Sequence, residues 1–177
     1  MLGPGWLVHD LTSLPDAPEV EETGATFAEN AALKAIAISR LFADLVLADD
    51  SGLAIDALKG DPGVRSARFA GENATDAQNR LKLISLLKAL PAQEFPARFR
   101  CEMVLASRGQ MLGSFSGTVE GRVVPLERGD QGFGYDSMFI PTGYLQTFAE
   151  LSSEIKNSLS HRAQALAGAL EFLRRRG

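Results

Sequence analysis

The sequence predicts a mixed α/β fold, with helices at both ends of a group of strands. Two capping sequences that begin with Thr mark the first two helices, and short apolar or alternating runs mark the strands. An apolar stripe with helical spacing marks a further helix near the C-terminus. Because helical and strand periodicities both occur in one chain without repeats, an all-helical or all-strand fold is excluded.

The composition is that of one folded domain. The chain has 177 residues, 45% of them hydrophobic, and its 18 Lys and Arg against 22 Asp and Glu give a net charge of −4. Such a chain can bury a core, so disorder is excluded and residues 1–177 are predicted to form a single domain. The negative charge disfavours a nucleic-acid backbone or an anionic membrane as partner, so any polyanion site must be built from local cations.

Cysteine use and the first residues predict a soluble, cytoplasmic protein. Cys101 is the single cysteine, which excludes a disulfide framework and a Cys-based zinc site. Residues 1–10 lack the cationic start and apolar run of a signal peptide. No stretch approaches the roughly 20 apolar residues that span a bilayer.

A capped helix and a short strand open the predicted fold. Thr26-Phe-Ala-Glu29 has the form of a capping box and predicts a helix that reaches about Phe42. Residues 45–48 form a wholly apolar run that is typical of a buried strand. This run ends in Asp49-Asp50-Ser51-Gly52, so acidic residues are predicted at the end of the strand.

Further strands occupy the middle of the chain. Ala97–Leu105 changes from alternating to wholly apolar, as a strand passing from the edge to the core would. Gln110–Phe115 and Thr118–Pro125, separated by a Ser-Gly pair, are predicted to be antiparallel neighbours. Gly129–Pro141 is rich in glycine and aromatic residues and is predicted to be a binding loop.

Two more helices have clear start signals. Thr75-Asp-Ala-Gln78 caps a helix that reaches about Leu90. Ser160 can cap a last helix through about Arg175. Both carry apolar residues at helical spacing, so each is predicted to bury one face.

Acidic residues are the first candidates for chemistry: Glu21, Glu22, Asp49 and Asp50. Adjacent carboxylates at a strand end repel each other, and Mg²⁺, which prefers oxygen ligands, would relieve that repulsion. The alternative is that the two aspartates cap a turn beside Ser51, since Asp-Asp-Ser-Gly is also good turn chemistry.

Cations are the second group of candidates. His161 and Arg162 follow the Ser160 cap, where the helix dipole favours anions, so their position indicates a bound anion or a carbonyl-rich ligand. A surface salt bridge is the alternative. Further cations of this group are Arg65, Arg68 and Lys156. Lys34, five residues after Glu29 on a predicted helix, is by its position alone a solvated surface residue.

The third candidate is Gly132-Phe-Gly-Tyr-Asp136. Glycines on both sides of Phe133 let the backbone approach a ligand closely while the ring offers a flat stacking surface. Asp136 can accept hydrogen bonds from ring N–H groups. The alternative is a glycine-rich hairpin with a buried phenylalanine.

Seven sequence blocks, taken in order, carry a resemblance that no single motif carries. They are Glu22–Ala35, Leu47–Leu53, Pro62–Gly71, Gly132–Asp136, Thr147–Leu151, Lys156-Asn157 and Ser160–Arg162. In this combination the chain resembles the Ham1 family, the inosine triphosphate pyrophosphatases, from about residue 20 to the C-terminus.

The resemblance implies a function and an architecture. The function is hydrolysis of ITP, dITP and XTP to the monophosphate and pyrophosphate with Mg²⁺, by a homodimer, which removes these compounds from the nucleotide pool. The architecture is an elongated, two-lobed α/β fold with a central curved mixed sheet, flanking helices and a cleft between the lobes.

The resemblance also implies roles for residues near the phosphates. Asp50 would be the catalytic acid/base and a metal ligand, with Asp49 beside it, and Glu22 would be a second metal ligand. Ser51 and Lys34 would contact the phosphate or sugar end of the nucleotide.

At the other end of the nucleotide, the resemblance implies that Phe133 stacks on the base, that Gly134 and Tyr135 belong to the same loop, and that Asp136 meets the edge of the base. The donors to the 6-oxo group would be Lys156, His161 and Arg162. Adenine presents an amino group at that position, and donors facing donors would stay unpaired, so the set selects against adenine.

The start of the chain departs from the family. Related chains begin with an apolar strand and a Ser/Thr-Gly-Asn-x-x-Lys loop that holds the triphosphate, and residues 1–19 match the segment after that loop. A strand, the loop and much of a first helix, roughly 15–20 residues, are therefore predicted to be missing. We expect the 177-residue chain to hydrolyse ITP poorly and a chain extended to an upstream start to be active.

Two other functions stay open at this stage. One is a catalytically weak nucleotide-binding form of the same fold. The other is a Maf-type pyrophosphatase that acts on modified pyrimidine or other nucleotides, against which the blocks at Lys156 and Ser160–Arg162 argue.

Overall fold

The structure is a computed structural model and describes residues 6–11 and 17–176. Its helices and strands confirm the predicted mixed α/β class. Their order is α1 (Phe27–Ser39), β1 (Val46–Ile55), α2 (Asp76–Lys88), β2 (Phe95–Ser107), β3 (Gln110–Val123), β4 (Phe139–Pro141), α3 (Ser153–Leu159) and α4 (His161–Arg174). Residues 6–10 and 17–24 are irregular, and residues 1–5 and 12–16, which belong to the segment predicted to follow the phosphate loop of the family, lie outside the described residues.

The chain forms two compact units. The first comprises Glu102–Ser116 together with the described residues up to Asp50 and from Ala165 onward. The second comprises Ser51–Cys101 and Gly117–Gln164. The three long strands and α4 therefore each contribute residues to both units.

The first unit has a small core built on α1. Thr26 Oγ1 accepts from the Glu29 N–H at 3.2 Å, and Glu29 Oε2 accepts from the Thr26 N–H at 3.1 Å, so the predicted capping box is confirmed. Ala31 and Ala35 are fully buried and pack with Val104 and Ala106 of β2. Small side chains on both elements let the helix lie close to the strand.

β1 is longer than the sequence predicted. It runs from Val46 to Ile55 through the Asp-Asp-Ser-Gly sequence, so the prediction that acidic residues follow the end of a strand is wrong. Leu47 is 41% exposed, so its apolar start is not fully buried either. The turn alternative also fails, because the strand continues and Leu53 N–H donates to Ser66 Oγ at 2.9 Å.

The four described strands form one sheet in the order β1-β2-β3-β4 and pair antiparallel. β2 and β3 are joined at Arg108 and Gly109, both with positive φ (51° and 77°), as a two-residue type I′ hairpin turn requires. β3 pairs with β4 in the register Gly121↔Pro141. A Cβ at Gly121 would lie 2.3 Å from the Ile140 carbonyl oxygen, so this pairing requires glycine.

β3 is one strand where the sequence predicted two. The Ser116-Gly117 pair, predicted as a break, lies inside it. Ser116 Oγ donates to the Glu102 carboxylate of β2 at 2.7 Å, so its hydroxyl serves the sheet instead of a turn. The predicted antiparallel neighbours are therefore consecutive parts of a single strand.

The second unit has an aromatic core. Phe99 of β2 lies 4.7 Å from Phe139 of β4 between ring centroids, and Phe139 lies 5.2 Å from Phe148. Leu83 and Leu87 of α2 are fully buried against this cluster, so this helix buries one face as predicted. These contacts fix the strands and helices that carry the site residues of this unit.

The helices of the C-terminal third include one that the sequence did not predict. α3 is short and begins after Ser152, whose side chain accepts from the Ile155 N–H. α4 begins at His161, and Ser160 Oγ accepts from the Ala163 N–H at 3.2 Å, so the predicted Ser160 cap is confirmed. Among the described residues, no helix is both long and apolar enough to cross a membrane.

Candidate active site

An acid–lysine centre lies in the first unit. Asp50 is 8% exposed, and its Oδ2 accepts from Asn30 Nδ2 at 3.0 Å. Lys34 Nζ lies 4.0 Å from Asp50 Oδ1 and 2.8 Å from Glu22 Oε1. One ammonium group therefore serves both carboxylates, and the position of Lys34 on a solvated helix face, which its spacing alone predicted, is wrong: its side chain is 25% exposed.

Asn30 is a site residue that the sequence analysis missed. It is fully buried on α1, donates to Asp50, and accepts from the Gly24 N–H through Oδ1 at 2.7 Å. A Cβ at Gly24 would lie 2.6 Å from that oxygen, so the chain before α1 closes tightly over it. A polar side chain between Phe27 and Ala31 on an otherwise apolar stripe was the available signal.

Asp49 and Ser51 flank Asp50 in β1. Consecutive side chains of a strand point to opposite faces, so Asp49 and Ser51 share one face and Asp50 faces the other. Asp49 and Ser51 are half-buried. The side chains of Asp49 and Asp50 therefore point away from each other, and Glu22 is an acid that shares Lys34 with Asp50.

The donor set of this centre suits a hard divalent cation. Mg²⁺ is usually held by one or two carboxylates, with waters and substrate phosphate oxygens completing its shell. Glu22 and Asp50 supply such a pair, beside a single lysine. No group of three or more metal-binding side chains occurs among the residues that the structure describes, so these residues fit a shared protein–substrate site and not an all-protein cage.

A second group of candidate residues lies in the second unit, around Asp136. This carboxylate is 5% exposed. Its Oδ2 accepts from Lys156 Nζ at 2.5 Å and from the Phe133 N–H at 2.8 Å. The ammonium group and the backbone N–H together offset the cost of burying the Asp136 carboxylate, so the three groups hold one another in place.

The Phe133 ring is presented to solvent, so the alternative of a hairpin with a buried phenylalanine is wrong. The ring is 61% exposed. Lys156 Nζ lies 5.0 Å from its centroid, and Arg162 Cζ lies 5.2 Å from it. An exposed aromatic ring with two cations within cation–π distance is suited to a flat ligand that also carries hydrogen-bond acceptors.

Gly132 is required by this arrangement. Its φ is +82°, and a Cβ there would lie 2.2 Å from Asp136 Oδ2 and 2.9 Å from Lys156 Nζ. Both a side chain and the usual backbone conformation are therefore excluded at this position. The glycine lets the ion pair form directly beneath the loop.

His161 and Arg162 occupy the first turn of α4, as predicted. His161 is 6% exposed, and its ring stacks on Phe99 with centroids 5.0 Å apart and planes 8° apart. The start of the helix therefore places one buried imidazole against Phe99 and one half-buried guanidinium beside Phe133. The surface salt-bridge alternative does not describe the buried His161.

Gly134 and Tyr135 are used by the fold. Tyr135 is 4% exposed and its hydroxyl donates to the Ser66 carbonyl at 2.9 Å. The Gly134 N–H donates to Asp76 Oδ2 at 2.7 Å, and its carbonyl accepts from Arg80 Nη1 at 3.0 Å. Asp76 and Arg80, both on α2, are further residues that the sequence analysis missed, and no sequence signal marked them.

Tyr135 predicts a measurable pH effect. Burial raises the pKa of its hydroxyl above the ordinary value of 10.0, with Asp76 adding to the shift and Arg80 opposing it. The native state holds the neutral form, so this stabilisation is complete below pH 10 and declines as the pH rises above it. We expect the free energy of unfolding to fall by up to about 1.4 kcal/mol per pH unit above that point.

The measurement is urea unfolding between pH 8 and pH 11 of the unsubstituted chain and Tyr135→Phe. The variant lacks the hydrogen bond and is expected to be less stable by about 1 kcal/mol at pH 8. The gap should close as the pH rises, since Phe does not ionise. Tyr144→Phe leaves Tyr135 in place and should therefore lose stability above pH 10 as the parent does. A stability difference between the parent and Tyr135→Phe that stays constant to pH 11 would contradict the assignment.

Each unit therefore has its own chemical character. The first unit supplies buried oxygen donors and a lysine, which suit a cation–polyanion pair. The second supplies an exposed ring, a buried carboxylate and cations. The fold and these residues define an α/β protein whose candidate site residues suit an anionic, aromatic ligand.

Comparison with known proteins gives the family. A family model described as the Ham1 family matches residues 2–172. The chain is 48% identical over 171 residues to the dITP/XTP pyrophosphatase of Desulforamulus reducens, covering 97% of this chain and 85% of the relative. It is 49% identical over 159 residues to the dITP/XTP pyrophosphatase of Geobacillus kaustophilus, covering 90% and 78%.

Solved structures agree. The Ham1 protein of Staphylococcus aureus has a TM-score of 0.85 and 40% identity, covering 94% of this chain and 85% of that one. A HAM1 protein from Coxiella burnetii has a TM-score of 0.84 and 41% identity, covering 90% and 82%. The chain belongs to the Ham1 family, and the family resemblance stated from its sequence blocks is confirmed.

Proposed function

We propose that this protein hydrolyses ITP, dITP and XTP to the nucleoside monophosphate and pyrophosphate. The observation that carries the proposal is the exposed Phe133 ring beside the buried Asp136–Lys156 pair, with Arg162 over the same ring. The names of the relatives, dITP/XTP pyrophosphatases, support the same substrate class. Bacterial relatives of this kind also support a cytoplasmic role in the nucleotide pool.

The second unit accounts for the choice of base. Phe133 would stack on the purine, and Asp136 would accept from a ring N–H. Lys156, His161 and Arg162 would donate to the 6-oxo group. Hypoxanthine and xanthine present a carbonyl at that position, whereas adenine presents an amino group. Donors that face an amino group stay unpaired when water is excluded, which penalises ATP strongly.

The first unit accounts for the hydrolysis. Asp50 is the buried carboxylate proposed to accept a proton from the attacking water, and Asn30 fixes its orientation through Oδ2. Lys34 would balance phosphate charge as the substrate enters, and Asp49 and Ser51 would lie on the other face of β1. Mg²⁺ held by Glu22 and Asp50 would neutralise phosphate oxygens. We propose that the active form is a homodimer.

The test is pyrophosphate release from ITP, dITP, XTP, GTP, ATP and dUTP at equal concentration with Mg²⁺. We expect kcat/KM for ITP and XTP to exceed that for ATP at least about 100-fold, with one pyrophosphate formed per monophosphate. Orthophosphate as the product, or a preference for ATP, would contradict the proposal. A preference for dUTP would favour a Maf-type activity, and binding of IMP without turnover would favour a binding protein.

A further inference from the structure

α2 holds the loop that carries Phe133 from outside the ligand group. Asp76, the first residue of α2, accepts from the Gly134 N–H at 2.7 Å. One turn later, Arg80 donates to the Gly134 carbonyl at 3.0 Å. Both backbone groups of the residue after Phe133 are thus bound by charged side chains of one helix.

The exposed position of Phe133 makes these bonds important. The residue is 61% exposed, with Lys156 and Arg162 beside its ring, so the direction of the ring also depends on the backbone that carries it. Gly134 has φ +59° and no neighbour within 4 Å of a Cβ position, so no packing around that position limits its backbone. Without its hydrogen bonds this glycine would have wide conformational freedom.

Arg80 is itself held in place. Its Nε donates to Glu127 Oε2 at 2.7 Å, and the same carboxylate oxygen accepts from Ser137 Oγ at 3.1 Å. The Arg80 side chain is 20% exposed. The guanidinium therefore connects both sides of the Phe133 loop, residue 127 before it and residue 137 after it, to α2.

α2 is suited to this task because its start is firmly formed. Thr75 Oγ1 accepts from the Gln78 N–H at 3.3 Å, and Gln78 Oε1 accepts from the Thr75 N–H at 2.8 Å. Leu83 and Leu87 anchor the other face of the helix in the core. A capped and buried helix gives the loop a fixed reference.

We propose that Asp76 and Arg80 are positioning residues for base recognition, which hold Gly134 so that the Phe133 ring is pre-oriented for stacking. The inference rests on the proposed function, in which Phe133 stacks on the purine. A side chain that is already held within a narrow range of directions loses less entropy on binding. The affinity for the base therefore depends on the two hydrogen bonds to Gly134, although neither Asp76 nor Arg80 contacts the ligand.

The test measures the Kd for IMP, which needs neither metal nor turnover, in the 177-residue chain. We expect Asp76→Ala and Arg80→Ala to raise Kd about tenfold, since each removes a charge-assisted hydrogen bond that orders the loop. Asp76→Asn keeps an acceptor for the Gly134 N–H and should raise Kd less than about threefold. In ITP hydrolysis the Ala variants should raise KM more than they lower kcat.

Two controls separate positioning from helix stability. Thr75→Ala removes the cap of α2 at a cost of about 1 kcal/mol without touching the loop, and its Kd for IMP should stay unchanged. In a Phe133→Ala background, Asp76→Ala should change Kd less than about twofold, because the effect passes through the ring.

The outcomes are distinct. The positioning role would be overturned if Thr75→Ala raised Kd as much as Asp76→Ala does. It would also be overturned if Asp76→Ala raised Kd as much in the Phe133→Ala background as in the parent. Unchanged affinity in both Ala variants while Phe133→Ala weakens binding would also overturn it. If Phe133→Ala itself leaves IMP affinity unchanged, the proposed stacking is wrong, and so is the positioning role of Asp76 and Arg80.

Discussion

Replacing Asp50 by Asn is expected to lower kcat for ITP about 10²–10⁴-fold, the range of a lost general base. The amide cannot take a proton from water, and it removes one of the two negative charges beside Lys34. The fold should persist, since an amide oxygen can still accept from Asn30 Nδ2 and the side chain keeps its size. The measurement is steady-state pyrophosphate release from ITP in the presence of Mg²⁺.

A matched control is Asp44→Asn, which makes the same charge change at an exposed residue of the same unit. Its kcat should stay within about twofold of the parent, because a solvated charge outside the site does not act on the reaction. IMP should bind Asp50→Asn as tightly as the parent, since the residues proposed to recognise the purine lie in the second unit. An Asp50→Asn variant that keeps more than about a tenth of the parent rate sinks the assignment of Asp50 as the base.

Replacing Lys156 by Met is expected to destabilise the protein by about 3 kcal/mol and to abolish tight IMP binding. Asp136 is 5% exposed, and its Oδ2 lies 2.5 Å from Lys156 Nζ, so the variant leaves a buried carboxylate that still accepts from the Phe133 N–H but has lost its ammonium partner. Removing one member of a buried pair costs more than the pair contributes, because the other charge stays desolvated. Urea unfolding gives the stability, and calorimetric titration gives the affinity.

The Asp136→Asn/Lys156→Met double variant separates stability from recognition. Without the buried charge it should regain most of the lost stability, while IMP binding stays weak because donor and acceptor are both changed. The exposed ion pair of Arg65 with Asp61 provides the comparison, since its side chains are 57% and 49% exposed. Arg65→Met should cost less than about 1 kcal/mol. Equal effects of Lys156→Met and Arg65→Met would refute a buried pair at Asp136.

Helix starts were the most predictable part of the fold. Thr26, Thr75 and Ser160 each cap the helix that the sequence placed after them. Strand limits were less predictable: β1 continues through an acidic sequence and β3 through a Ser-Gly pair. Turn-forming residues favour a turn only where no partner strand binds their backbone, and the sheet supplied those partners.

The candidate site was predictable in kind but not in arrangement. Sequence blocks placed Asp50, Phe133 and Lys156 among the candidates, and the structure shows Asp50 buried and Phe133 exposed. They did not show that Lys34 pairs with Glu22, nor that Asn30 orients Asp50. Asp76 and Arg80 were missed because a surface-type acid and base at the start of a helix have an ordinary local explanation.

The sequence by itself determined the α/β class, the capped helices and membership of the Ham1 family, whereas the tertiary structure decided which polar groups meet. A cap closes within about four residues, so its energetics are readable from a short segment. The Asn30–Asp50 bond joins residues 20 apart, and the Asp76–Gly134 bond joins residues 58 apart. Such contacts form only when the packed core brings their elements together, since closing a long loop costs entropy that one hydrogen bond cannot offset.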